Sequence, residues 1–103
     1  MTLYIVRAKP KSQLSELRKE MDSGKISNLK PFGKSLQRGL ENARMDKETG
    51  RVMWVEEDYC SPPLTMERES VLDRYFDEIT IDRVKSEGEG WYRISNKPYL
   101  WNK

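Results

Sequence analysis

Two short runs, Leu3–Val6 and Val52–Val55, are apolar or aromatic at every position, odd and even alike. Side chains alternate between the two faces of a strand, so a run that is apolar on both parities must be covered on both sides. In a small sheet only the inner strands are covered in that way. The segments Thr2 to Lys9 and Arg51 to Tyr59 are therefore expected as the central pair, with Pro10 ending the first.

The other elements arrange themselves around that pair. After Ser12, read as an N-cap, Leu14, Leu17 and Met21 recur at helical spacing, and Gly24 supplies a left-handed stop. Residues 34–46 carry two signals. Leu36, Leu40 and Ala43 have helical spacing, whereas Asp46 to Arg51 reads as a four-residue hairpin loop with Gly50 at positive φ. The hairpin needs a partner strand just before it, so a strand over roughly 36–46 is expected, with Asp46 facing Arg51. Ser61-Pro62-Pro63 opens the next helix. Leu64, Val71, Leu72, Tyr75 and Phe76 lie on its buried side, and Glu67, Glu69, Asp73 and Arg74 on its wet side. Glu78 to Val84 alternates as a half-buried strand.

The resulting order, βαββαβ, predicts an α+β fold: a ferredoxin-like antiparallel sheet with two helices on one face. The 103 residues form one domain, with a core over 1–85 and a C-terminal extension over 86–103. In the extension, 86–90 reads as a flexible connector and Trp91 to Ile94 as a short added strand. Four of the ten aromatic residues, Trp91, Tyr92, Tyr99 and Trp101, lie in the last thirteen positions, so this segment is expected to pack.

Composition excludes much chemistry. The chain has no histidine and a single cysteine, Cys60. That removes His-based triads and dyads, His-ligated zinc, paired-cysteine metal sites and an intrachain disulfide. No metal site and no cofactor is expected. No stretch approaches a membrane span, no export signal is visible, and the cytoplasm is the expected compartment.

Charge is uneven. Residues 1–51 hold twelve Lys/Arg against six Asp/Glu, and residues 52–103 hold seven against eleven. Lys30, Lys34, Arg38 and Arg44 are the candidate nucleic-acid contacts, and Tyr4 and Trp54 could stack bases. The third strand lacks the Lys/Arg-Gly-aromatic signature of RNA-binding sheets of this type, so nucleic acid is not the favoured partner.

The densest polar cluster is Glu56-Glu57-Asp58-Tyr59-Cys60. Alternation puts Glu56 and Asp58 on one face, where paired carboxylates can hold magnesium or share a proton. A third carboxylate is sought in Glu41 or Asp82. Glu56, Asp58, Tyr59 and Cys60 are the candidate catalytic residues, against the commoner reading of a solvated strand end and a structural thiol. The sequence names no substrate. The leading expectation is a small binding or interaction module that pairs with a second copy. The open sheet face would be hidden by that copy or by Trp91, Tyr92, Tyr99 and Trp101 in cis. The alternatives are an RNA-binding domain and a histidine-free enzyme built on the acidic cluster.

Overall fold

A computed structural model of the protein describes residues 2–58 and 60–101. Strand β1 (Thr2–Pro10) leads to helices α1 (Leu14–Asp22) and α2 (Gly33–Glu41), then to β2 (Arg44–Asp46) and β3 (Arg51–Asp58). Helix α3 follows in three consecutive parts: α-helical Thr65–Glu67, π-helical Arg68–Leu72 and α-helical Asp73–Tyr75. Strand β4 (Phe76–Val84) and helix α4 (Glu87–Arg93) complete the described elements.

The sheet order is β2-β3-β1-β4, with every neighbouring pair antiparallel. The two doubly apolar runs are thus the central strands. Val6, Ala8, Val52 and Trp54 point to one face and pack against Leu17 and Met21 of α1, Leu36 and Leu40 of α2, Leu64, and Val71, Leu72 and Tyr75 of α3. Ile5, Met53, Val55 and Val84 point to the other face and meet Ile94, with Leu3 and Trp91 at the margin. The hairpin has the expected register, Asp46 opposite Arg51, and Gly50 takes φ +73°.

Several local expectations are corrected. Residues 34–46 are mostly helix: α2 runs to Glu41 and only Arg44–Asp46 extends. Leu36, Leu40 and Ala43 are all fully buried, so the helical spacing reflects real packing, and three residues suffice as hairpin partner. Helix α1 begins after Gln13, and no side chain caps it. Helix α3 begins at Thr65, later than Ser61-Pro62 suggests. Leu64 is held at φ +62°, and its N–H donates to Asp58 Oδ2 at 2.9 Å, which stops the helix from running back.

The extension is the largest correction. Residues 87–93 form a helix, capped by Ser86, whose hydroxyl accepts from Glu89 N–H. Helix α4 lies on the second sheet face. Its Gly90 comes so near that a Cβ there would stand 2.7 Å from Val55 Cγ2. Added pairing does occur, but at the other side of the sheet: Met45 N–H donates to Pro98 O, and Leu100 N–H to Ala43 O. The edge of β2 is covered by this return of the chain. Among the described residues no helix is long and apolar enough to cross a membrane.

Candidate functional site

The carboxyl end of β3 carries its polar residues inward. Alternation from buried Trp54 places Glu56 and Asp58 on the helix-covered face, as expected, and they are 1% and 3% exposed. The third carboxylate is neither Glu41 nor Asp82. Glu41 accepts from Arg18 and Gln37, and Asp82 pairs with Arg7. The partner is Glu67, which is 1% exposed instead of solvated. It lies three residues after Leu64 and four before Val71, both buried, and the chain brings it inward with them.

One oxygen each from Asp58 and Glu67 and the Cys60 sulfur lie within 4.8 Å of one another. Cys60 Sγ is 3.9 Å from Glu67 Oε1. Asp58 is held from both sides: Oδ1 accepts from Cys60 N–H at 3.2 Å and Oδ2 from Leu64 N–H. Glu56 Oε1 accepts from the Trp54 indole N–H at 2.8 Å. Its Oε2 is buried and has no hydrogen-bond partner among the described residues. A cavity of about 160 Å³ is lined by Asp58, Cys60 and Glu67 together with Pro31, Phe32, Ser35, Glu57 and Met66. Tyr59 lies outside the described residues.

The electrostatics follow from burial. Burial and then the facing Glu67 push the Glu56 carboxyl well above the usual carboxylate range; Trp54 opposes this and Asp58 adds to it. The Met66 backbone N–H pulls the Cys60 thiol down, but burial, Asp58 and Glu67 outweigh it and carry the thiol above its ordinary value. A thiol favoured as thiolate by a helix terminus is not what this position provides. None of the ion pairs among the described residues involves Glu56, Asp58 or Glu67. Glu56 and Asp58 are met instead by an indole and two backbone N–H groups.

The other candidates lie elsewhere. Lys34 and Arg38 sit one turn apart on α2, and Lys30 precedes that helix. Arg38 pairs with Glu87 at 3.4 Å. Arg44 donates to the carbonyls of Ser95 and Lys97 and stacks on Tyr99, 3.9 Å from the ring centre. Arg38 and Arg44 do share a shallow cavity with Asn42, Trp91 and Tyr99. Of the aromatic quartet, three pack within the chain. Trp91 joins both apolar clusters, Tyr99 lies under Arg44, and the Trp101 indole donates to Leu40 O at 2.7 Å. Tyr92 stands 81% exposed.

Comparison with protein-family models, with curated proteins and with solved structures finds no match for this chain.

Proposed function

We propose that this chain is a small binding protein of the ferredoxin-like type whose site is the acidic pocket at the carboxyl end of β3, and that its ligand is cationic. The strand order and the helices in both crossovers support the fold reading. Two departures from the simplest such plan are the paired helices α1 and α2 in the first crossover and the broken α3 in the second. A fold of this kind leaves function open, so the functional reading rests on the site alone.

The observation that carries it is a cluster of three buried carboxylates, Glu56, Asp58 and Glu67, two of which (Asp58 and Glu67) line one cavity, without a Lys or Arg partner among the described residues. Buried carboxylates are ordinarily paired, protonated or bound to a cation. A pocket lined by Asp58, Cys60 and Glu67 favours a ligand that brings positive charge. The reading also meets the condition set by an acidic-cluster site: that Glu56 or Asp58 meet another carboxylate in a pocket. Pairing of two copies, by contrast, is left with no uncovered apolar sheet face to explain, because α4 lies on it.

The test is an NMR titration of the full chain with methylammonium, guanidinium, magnesium and zinc salts in turn. Saturable shifts of the Cys60, Leu64 and Met66 amides and the Trp54 indole with at least one cation are expected. Linear, non-saturating shifts with all four would overturn the reading.

A second reading has one observation of its own: Arg38, Arg44, Trp91 and Tyr99 line a single cavity of about 300 Å³. Cationic and aromatic groups together suit single-stranded RNA. That reading expects binding to an oligoribonucleotide that weakens steeply with salt. Binding that is absent at low salt would remove it.

A further inference from the structure

We propose that the pocket binds a divalent transition-metal ion of the zinc class, with Asp58, Cys60 and Glu67 as its three protein ligands. This inference rests on the cationic-site reading above and names its ligand. Three features carry it: the mutual distances of the donor atoms, the donor chemistry and the unpartnered buried oxygen of Glu56 beside them.

A tetrahedral zinc centre with ordinary bond lengths sets its sulfur and oxygen ligands about 3.6 Å apart. Cys60 Sγ and Glu67 Oε1 stand 3.9 Å apart, and the Asp58 oxygen lies within 4.8 Å of both. Small side-chain rotations close the set around an ion. The positions are held from outside: Cys60 N–H and Leu64 N–H fix the Asp58 carboxylate, as hydrogen bonds to metal-bound carboxylates do.

The donor set then selects the metal. One thiolate with two carboxylates is too soft for magnesium or calcium and suits zinc, cobalt or cadmium. Three protein ligands leave the fourth position facing the cavity bounded by Phe32, Ser35 and Met66. That is the arrangement of a site that admits water or a small ligand rather than a closed structural one.

Glu56 supplies the independent observation. Its carboxyl is 1% exposed, faces Glu67, and has one oxygen without a partner among the described residues. A divalent ion held by Glu67 would bring positive charge beside this buried carboxyl and its unpartnered oxygen. On binding, the Cys60 S–H proton goes to solvent as the sulfur–metal bond forms, with no change in oxidation state.

Cobalt titration of the full chain, freed of metal with a chelator, tests the inference. One equivalent should raise a thiolate-to-cobalt charge-transfer band together with the strong visible bands of a four-coordinate ion. Zinc should displace both. Zinc at about a hundredfold excess over its Kd should raise the melting temperature by roughly 10 °C. Cys60→Ser, which keeps size and fold, should lose the charge-transfer band. Glu67→Gln should weaken cobalt binding by about tenfold or more. An unchanged band in Cys60→Ser would overturn the assignment. So would the lack of any band or melting shift in a chain with native circular dichroism. If organic cations saturate the pocket and cobalt does not, the metal inference falls and the cationic-site reading stands. If neither binds, both fall.

Discussion

Glu67 is the residue on which the site turns, because it closes the acidic cluster from the helix side without a counter-charge among the described residues. Removing its charge while keeping its shape should relieve the metal-free protein. Glu67→Gln is expected to stabilise it by about 1–2 kcal/mol at neutral pH, within the range for a buried polar group left unsatisfied. Thermal melting in a chelator checks this, and a lower melting temperature would contradict it. The same substitution should cancel the zinc-dependent rise. The inward position of Glu67 is legible in principle. Its three- and four-residue spacing from Leu64 and Val71 points inward, although Leu64 lies just before the helix and residues 68–72 are π-helical. Residue type points the other way, because a carboxylate on a helix is ordinarily solvated. Asp58 and Glu56 are legible because strand alternation from Trp54 decides their side. Cys60 stands out by its place next to them, but the charges around it raise its thiol instead of lowering it.

At the scale of elements, spacing is more informative than connectivity. Leu36, Leu40 and Ala43 mark a helix correctly, whereas the demand for a long hairpin partner points away from it. Helix α4 is hidden by Gly88 and Gly90, which weaken helix propensity. Gly90 is there because Val55 leaves no room for a side chain. Gly90→Ala should therefore lift α4 from the sheet and cost about 1–3 kcal/mol in denaturant unfolding; no loss would mean that α4 does not bear on Val55. A second link ties α1 to α3: Tyr75 O–H donates to Glu20 at 2.6 Å, and Arg74 pairs with the same carboxylate. Burial raises the Glu20 carboxyl, but Tyr75 and Arg74 outweigh it and hold it below its ordinary value. A depressed folded value means stability that is present at neutral pH and lost as pH falls through that value. Burial and Glu20 in turn push the Tyr75 hydroxyl up to about 12. Tyr75→Phe should cost about 1–2 kcal/mol at pH 7, and the cost should shrink on acidification as Glu20 protonates. Unfolding curves at several pH values test both points.

Over the whole molecule, the central strands explain why the chain needs its C-terminal segment. Leu3–Val6 and Val52–Val55 demand cover on both faces, and their amino acids alone state that requirement. They do not state which segment supplies the second cover, because a second copy and the aromatic tail satisfy the same hydrophobic requirement. The chain uses α4 and Ile94 for the face and residues 98–100 for the β2 edge. The full-length protein is accordingly expected to run as a monomer in light scattering. Truncation before Ser86 should expose Ile5, Met53, Val55 and Val84 and drive self-association. A full-length dimer that survives the truncation would place an interface elsewhere. The acidic pocket lies on the opposite, helix-covered side, so its ligand should bind without disturbing this cover. The most direct test of the central claim is anomalous diffraction at the zinc edge from crystals of the full chain grown with zinc. One peak about 2.0–2.3 Å from Cys60 Sγ and from oxygens of Asp58 and Glu67 is the result expected. Saturating zinc with no peak between these residues would contradict it.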